Sequence, residues 1–317
     1  MRLPRASCST LRYGLAAFDS DSQHDKESMA NPHPFRRVAV IGTGLLGGSF
    51  ALALRKHWPG ISLAGFDRPA TAEQALARGM VDAAPNDLAS AVRGADLVYI
   101  ALPIAATMEL LPAIAASADP HALVTDACST KAAICRSASG HFRGARFLGG
   151  HPMAGKERSG IEHADSELFR GAPYALIESS ADARDEEGVK SFEETLGKIG
   201  ARPVWCDAET HDWAVGIVSH LPQLVSLALA RVVQNETDET GLPLSLAGQG
   251  LQDMLRLAGS PYEIWRDIFL TNTGNIARAL DRLAQAIGYL RAHLATDEIK
   301  QEFEAANDVY KLLREQP

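Results

Sequence analysis

The chain has 317 residues and lacks the features that mark membrane, nucleic-acid or metal proteins. Its net charge is −8 with no cluster of Lys and Arg, which argues against nucleic acid as a partner, because neutralising phosphates takes grouped cations. Its apolar runs fall short of the ~20 residues that a membrane span needs, so we expect no membrane segment. The four cysteines (Cys8, Cys128, Cys135 and Cys206) have no CxxC spacing and no His at ligand intervals, which predicts reduced thiols, a cytoplasmic location and no metal site.

Residues 1–35 contain no apolar segment that could serve as a signal peptide. They are rich in Ser, with Arg2, Arg5 and Arg12 followed by a polar run over residues 19–28, and that acidic second half is unlike a transit peptide. We expect a disordered leader without chemistry, with Met29 as an alternative start just before the first predicted strand.

A glycine-rich turn follows the first apolar strand, at residues 38–41, and opens a helical pattern. Gly42 would allow the tight turn, Gly44 would let a pyrophosphate approach the backbone, and Gly47 would let the helix pack against the strand. A second predicted strand, residues 61–66, ends in Asp67, about 20 residues later, where a carboxylate can bind the ribose hydroxyls of NAD and repel the 2′-phosphate of NADP. Arg68 could tolerate that phosphate, so NADP stays as the second choice. The predicted cofactor site comprises Gly42, Gly44, Leu45, Leu46, Gly47, Asp67 and Arg68.

Strand and helix patterns alternate after this turn and then give way to helices alone. Further strands are predicted at residues 95–102, 122–126, 146–149, 174–178 and 203–206, with helices at 105–116 and 186–199. This alternation predicts an α/β, doubly wound Rossmann-type dinucleotide-binding domain over residues 36–206. Helices predicted at 210–234, 245–258, 262–294 and 297–313 form an all-α substrate and dimerisation domain over residues 207–317.

Two of the predicted helices carry unusual apolar surface. The helix at 210–234 is apolar on almost every face, which predicts burial, and Pro222 should kink it. A narrow polar stripe interrupts it, made of Asp212, Gly216, Ser219, Gln223 and Ser226. The helix at 262–294 has a long apolar stripe, which predicts a helix-swapped homodimer; the stripe consists of Ile276, Leu280, Leu283, Ile287, Leu290 and Leu294.

Two predicted loops at the carboxyl ends of strands carry the candidate catalytic residues, Ser129 and His151. Near neutral pH a histidine held between glycines and a proline can take a proton from an alcohol, as oxidation by NAD requires. The alternative for His151 is a structural histidine bonded to a carbonyl. Ser129 is equally well explained as the N-cap of the following helix.

Together these motifs resemble the prephenate/arogenate dehydrogenase family of tyrosine biosynthesis, over about residues 36–315. The resemblance rests on the glycine turn, DxxSxK at 126–131, GGHPMAG at 149–155 followed by Glu157, SHLP at 219–222, DMLR at 253–256 and WRD at 265–267. It implies NAD-dependent oxidative decarboxylation of prephenate, with arogenate as a possible second substrate, in a dimer. In the family pattern the residue before the serine is usually Gly, here Cys128, and SHLP is often followed by His, here Gln223.

The resemblance also implies a role for each candidate residue. His151 would accept the substrate's hydroxyl proton, and Ser129 would orient that hydroxyl. Arg256 would bind the ring carboxylate, with Lys131 as an alternative cation. The residues expected to complete the substrate site are Ser219, His220, Gln223 and Glu157. Two other functions remain open: another β-hydroxyacid-type dehydrogenase, and an NAD-binding regulatory protein without turnover.

Overall fold

The computed structural model describes residues 34–143, 146–155, 159–178 and 182–315, so nearly all of the predicted leader lies outside the described residues. Seven strands form the first part of the fold: β1 (Arg37–Ile41), β2 (Ser62–Phe66), β3 (Leu97–Ile100), β4 (Leu123–Asp126), β5 (Phe147–Pro152), β6 (Pro173–Ile177) and β7 (Arg202–Cys206). Six helices lie between them: α1 (Leu45–His57), α2 (Pro69–Ala77), α3 (Leu88–Val92), α4 (Ile104–Ser117), α5 (Ala132–Ser139) and α6 (Glu187–Lys198).

The strands form one sheet in the order β2-β1-β3-β4-β5-β6-β7. All neighbours pair in parallel except β5 and β6, which are antiparallel. The predicted doubly wound, mostly parallel fold is therefore confirmed. Strand order reverses between β1 and β3, and in such sheets ligands bind in the crevice outside the carboxyl ends of the strands.

Buried apolar side chains fill both faces of the sheet. On one face the ring of Phe50 in α1 stacks on Tyr99 of β3, with centroids 3.9 Å apart. On the other face Ile104 and Leu111 of α4 pack among buried strand residues that include Ile100. Burying each such side chain contributes about 1.5–3 kcal/mol, so the strand ends that carry the site stand on a rigid base.

Helices make up the chain after Cys206. They are α7 (Ala208–Val215), α8 (Leu221–Glu236), α9 (Leu242–Ser245), α10 (Gln249–Leu255), α11 (Tyr262–Ala292) and α12 (Glu298–Glu315). The predicted helix at 210–234 is α7 and α8 joined by a π-helical turn, Gly216–His220. Pro222 explains this irregularity, because it has no N–H to donate to the carbonyl of Val218. The predicted helix at 245–258 is also divided, into α10 and a 3-10 turn at Arg256–Gly259.

Burial along α7 and α8 agrees with the sequence prediction only in part. Gln223 and Ser226 of the polar stripe are buried, whereas the apolar Trp213 and Val218 are 50% and 66% exposed. The expectation that the apolar faces are covered is therefore wrong for the single chain. The stripe packs against the chain's own core together with the apolar Val215 and Leu224, whereas Trp213 and Val218 are exposed.

The same segment also corrects the expectation that every apolar stretch of the chain is too short to span a membrane. Taken together, α7 and α8 cover 29 residues, Ala208–Glu236, with a mean hydropathy of 1.5. By length and composition alone they could cross a membrane. The counting of uninterrupted apolar runs missed this helix because isolated polar residues break it into short pieces.

The apolar stripe of α11 is also largely uncovered. Ile276 is buried, but Leu280, Ile287, Leu290 and Leu294 are exposed. Leu227 and Val232 of α8 are exposed as well, and exposed apolar residues in such numbers mark an interaction site.

Candidate active site

The glycine turn joins β1 to α1 at the point where the strand order reverses. Gly42 has φ +93°, and a Cβ there would lie 2.4 Å from the carbonyl oxygen of Ala101, so only glycine fits. A Cβ on Gly47 would lie 1.8 Å from the oxygen of Gly42, because α1 passes close to the turn. A Cβ on Gly44 would meet nothing within 4 Å. The backbone at Gly44 is thus open to a ligand, as the approach of a pyrophosphate requires.

Leu45 and Leu46 begin α1, whose first turn has no side-chain cap, so its N–H groups are available to phosphate oxygens. The carboxylate of Asp67 follows β2 and accepts hydrogen bonds from the backbone N–H groups of Thr43 (2.7 Å) and Arg68 (2.7 Å). These bonds hold Asp67 against the glycine turn, as ribose binding requires, while the Arg68 side chain is exposed. The residues present therefore fit NAD.

A buried ion pair joins the loop after β4 to β5. The Lys131 ammonium group contacts Asp126 and donates a hydrogen bond to the carbonyl of Gly150 (2.7 Å), and neither charged side chain is exposed to solvent. Burial is the largest effect on Lys131 and lowers its pKa, but the Asp126 carboxylate and the nearby Cys128 and Cys135 together outweigh it, so the lysine pKa is raised. Asp126 also accepts hydrogen bonds from the N–H groups of Cys128 and Gly150. Lys131 has no accessible surface for a substrate, so its predicted substrate contact is corrected to a structural link.

His151 lies inside β5, where it pairs with Ala175 of β6, and not on a loop after a shorter strand as the sequence predicted. The antiparallel partner explains the extra length, since β6 continues to pair where the parallel neighbour β4 has ended. The side chain is buried, and its Nδ1 lies 2.9 Å from Nε2 of His211. Burial, followed by the charges of His211, Lys131 and His220, holds the pKa of His151 well below 6.5.

Ser129 lies in the loop after β4, beside the end of β5, because β4 and β5 pair in parallel with Thr125 opposite Leu148. It does not cap α5. The first N–H groups of α5, those of Lys131 and Ala132, donate instead to the two oxygens of Asp212, at 2.7 and 2.9 Å. Within the described part of the chain the Ser129 hydroxyl has no hydrogen-bond partner, which leaves it available to a ligand.

Two buried polar atoms in and just after the SHLP segment lack partners among the residues that the structure describes: Nε2 of His220 and Oε1 of Gln223. His220 is fixed on its other side by Asn272, whose Nδ2 lies 3.2 Å from Nδ1, and by an edge-to-face contact with Trp265. Burial lowers the pKa of His220 to about 4, so the ring is neutral near pH 7. Unpaired buried polar atoms are costly and rare in folded proteins, so these two indicate a ligand site.

The remaining candidates lie on the helical part of the site or outside the described residues. Ser219 is half-buried in the π-helical turn. Arg256 is exposed at the start of a 3-10 turn that packs beside α8, where Ser226 accepts a hydrogen bond from the N–H of Ala258 (3.0 Å). Glu157 lies outside the described residues.

Sequence reasoning missed two residues that contact the candidate site. Asp126 was noted only as part of the serine loop, and His211 was not singled out. The adjacent pair His211 and Asp212, at the start of an apolar helix, was the available signal, because two polar groups on a buried helix need partners.

The glycine turn, Asp67 and a buried histidine at one sheet edge define a nucleotide-dependent dehydrogenase with a helical second domain. A family model of the prephenate dehydrogenase nucleotide-binding domain matches residues 50–205, and one of the prephenate dehydrogenase dimerisation domain matches residues 207–308. The chain belongs to the prephenate dehydrogenase family. It therefore carries that family's dimerisation domain beside a small-molecule site.

Individual relatives agree with this assignment. A prephenate dehydrogenase of Lactococcus lactis is 34% identical over 262 residues, covering 80% of this chain and 71% of the relative. The structure of A. aeolicus prephenate dehydrogenase in complex with hydroxyphenyl propionate and NAD+ is 26% identical with a TM-score of 0.78, covering 91% of this chain and 99% of that one. The structure of Synechocystis arogenate dehydrogenase is 31% identical with a TM-score of 0.74, covering 86% of this chain and 99% of that one.

Replacing Lys131 with Met should destabilise the fold by about 3–5 kcal/mol, because it leaves the Asp126 charge buried without its partner. Denaturant unfolding followed by circular dichroism measures the effect. Lys190→Met is the matched control, since Lys190 pairs with Asp185 at the surface and should contribute no more than about 1 kcal/mol. Equal unfolding midpoints for the two variants would contradict the structural role of Lys131.

Asp67→Ala should weaken NAD binding about tenfold or more, the usual value of a charge-assisted hydrogen bond, and reduce discrimination against NADP. Titration calorimetry with both cofactors measures this. Glu73→Ala, which removes an exposed carboxylate from α2, should leave both affinities unchanged. Tighter binding of NADP than NAD by the wild type would show that Arg68 outweighs Asp67.

Proposed function

We propose that this protein catalyses the NAD-dependent oxidative decarboxylation of prephenate to 4-hydroxyphenylpyruvate in tyrosine biosynthesis. The observation that carries the proposal is His151, a buried neutral histidine at the carboxyl end of β5. Ser129, whose hydroxyl has no partner among the described residues, lies in the loop that follows the neighbouring strand β4. Arogenate is the second candidate substrate, supported by the likeness to the Synechocystis arogenate dehydrogenase.

His151 acts as the base of the reaction. It accepts the proton of the ring hydroxyl, while Ser129 donates a hydrogen bond that orients the same oxygen. NAD bound at the glycine turn supplies the hydride acceptor. Loss of the ring carboxylate as carbon dioxide then sends an electron pair into the ring and onto the oxygen, which takes the proton back from His151. The proton thus leaves and returns through one nitrogen.

Cations and hydrogen-bond donors hold the substrate, which is a dianion. Arg256 binds the ring carboxylate, since a guanidinium can grip a carboxylate with two parallel bonds. His220, Gln223 and Ser219 line the other side of the pocket, and Glu157 lies near its mouth. The Nε2 atom of His220, which has no partner among the described residues, supports this assignment as a donor. The Oε1 atom of Gln223 also lacks a partner there and can accept a hydrogen bond from a ligand.

The protein acts as a cytoplasmic homodimer joined through its C-terminal helices. The exposed apolar rows of α8 and α11 support this arrangement, because a dimer would cover them. Membrane insertion of α7 and α8 would instead put Asp212, His220 and Gln223 into lipid, where charged and polar groups are costly. The net charge gives no basis for nucleic acid as a partner.

A direct assay tests the function. Purified protein is mixed with NAD and either prephenate or arogenate, and NADH absorbance is followed together with product by chromatography. Formation of 4-hydroxyphenylpyruvate and NADH in equal amounts is expected. NAD binding without turnover of either substrate would favour a regulatory protein.

His151→Asn should lower kcat by about 10²-fold or more, the usual scale for a general base, while NAD affinity is retained. His121→Asn, at an exposed position after α4, is the control and should leave kcat unchanged. Because the pKa of His151 is lowered, its neutral form persists as pH falls, so kcat/KM of the wild type should decline only below pH 6.5. Near-normal turnover by a folded His151→Asn variant would remove His151 from the mechanism.

Gln223→Leu should leave stability unchanged or raise it, because the Oε1 atom it removes has no partner among the described residues. It should also lower kcat/KM for prephenate by about tenfold, the worth of one lost hydrogen bond in a dry site. Ser226→Ala, one turn further along α8, should instead cost about 1 kcal/mol of stability, since Ser226 binds the Ala258 N–H. Unchanged kinetics in Gln223→Leu would place Gln223 outside the pocket.

A further inference from the structure

Three buried side chains lie in a line behind the catalytic face of His151. Nδ1 of His151 is 2.9 Å from Nε2 of His211, and Nδ1 of His211 is 2.8 Å from Oδ1 of Asp212. The two imidazole rings meet edge to face, 69° apart. His211 and Asp212 are the first buried residues of α7, so the helical part of the chain reaches into the nucleotide-binding part at this point.

The position of Asp212 determines the direction of every hydrogen bond in the line. Its Oδ1 accepts from the N–H of Lys131 and its Oδ2 from the N–H of Ala132, so the carboxylate is an acceptor on both oxygens. Nδ1 of His211 must then carry the proton, which leaves a lone pair on Nε2. That lone pair accepts a hydrogen bond from the N–H at Nδ1 of His151, 2.9 Å away. The remaining nitrogen of His151, Nε2, is therefore unprotonated.

We propose that His211 and Asp212 are positioning residues that hold His151 in the Nδ1–H tautomer, so that its Nε2 faces the substrate as a base. This inference rests on the proposed function for its catalytic meaning. The tautomer and ring orientation of a histidine are set by the partner of its other nitrogen, and here that partner is a second histidine.

The same line accounts for the temporary storage of the substrate's proton. When Nε2 of His151 takes the hydroxyl proton, the Nδ1 proton can move to Nε2 of His211, which places the positive charge beside Asp212. The reverse movement returns the proton to the phenolate oxygen after carbon dioxide leaves. No proton is gained or lost over the cycle. The extra proton can lie on either ring, but in both cases Nε2 of His151 carries a hydrogen. A single protonation of the His151–His211 pair therefore prevents His151 from acting as a base.

Charges around the pair are otherwise balanced. Lys131 and His220 act on His151 from the serine loop and the π-helical turn, and the ammonium group of Lys131 is neutralised by Asp126. Asp212 itself is held by the N-terminus of α5, and its carbonyl accepts a hydrogen bond from Asn272 (2.7 Å). The line is therefore anchored at the Asp212 end.

Two variants of His211 separate positioning from packing. Gln can place an amide oxygen where Nε2 of His211 lies and accept from His151, whereas Leu fills similar space without an acceptor. With ¹⁵N-labelled histidine, NMR of the substrate-free dimer at pH 8 should give Nδ1 protonated and Nε2 unprotonated for His151, assigned by the signals lost in His151→Asn. His211→Gln should keep this tautomer, and His211→Leu should lose it.

The kinetic result should follow the tautomer. In His211→Leu, kcat should fall by about tenfold or more while the KM for prephenate and the affinity for NAD stay within about threefold, and His211→Gln should recover most of the loss. A protonated Nε2 on His151 in the wild type would overturn the proposal, as would His211→Leu with unchanged tautomer and kcat. A wild type with the expected tautomer but no turnover of prephenate would support the positioning and overturn the proposed function instead.

Discussion

The arrangement of the site depends on the buried contact between Asp126 and Lys131. An isolated charge in a protein interior costs several kcal/mol, so each of these residues requires the other. Because Asp126 ends β4 and Lys131 precedes α5, their pairing closes the serine loop into a compact turn, and the bond from Lys131 to Gly150 ties that turn to β5. The ion pair therefore fixes the loop that carries Ser129 to the strand that carries His151.

Asp212 extends this constraint to the helical part of the chain. By accepting the first N–H groups of α5, it acts as a cap supplied from a distant segment, which removes the need for Ser129 to cap its own helix. Further contacts join the same parts: Thr130 bonds Thr271, and Asp267 accepts the N–H of Ala105 at the start of α4. Polar groups thus connect the two halves of the site, together with the buried apolar Ile268 and Ile276 of α11, which pack in one cluster with Ile100 of the sheet.

Much of the fold could be predicted from local pattern, and the errors have physical causes. The glycine turn and Asp67 were predictable because pyrophosphate and ribose binding demand those residues at that spacing. The end of β5 could not be predicted from the local sequence. His151 continues the strand only because β6 pairs with it from a distant part of the chain. Burial of α8 was mispredicted because a helix apolar on most faces has two possible neighbours, its own domain and another subunit. Lys131 was predicted as an alternative cation for the substrate because nothing in the local sequence reveals that Asp126, five residues earlier, turns back to meet it.

The buried polar residues His220, in the π-helical turn, and Gln223, in α8, show that this helical segment does more than fill the core. A helix that only filled a core would be more stable with apolar residues at positions 220 and 223, because each unpaired buried polar atom costs about 1–3 kcal/mol. His220 is held by Asn272, the residue whose non-helical backbone interrupts α11, so two helices deform around this one ring. Neutral at pH 7 and accepting on Nδ1, His220 carries its proton on Nε2, and that N–H is the atom left without a partner. A donor held this rigidly, beside the amide oxygen of Gln223, is suited to a polar ligand. The unpaired atoms of these residues lower the free energy of unfolding of the ligand-free protein, and a ligand that pairs with them restores it.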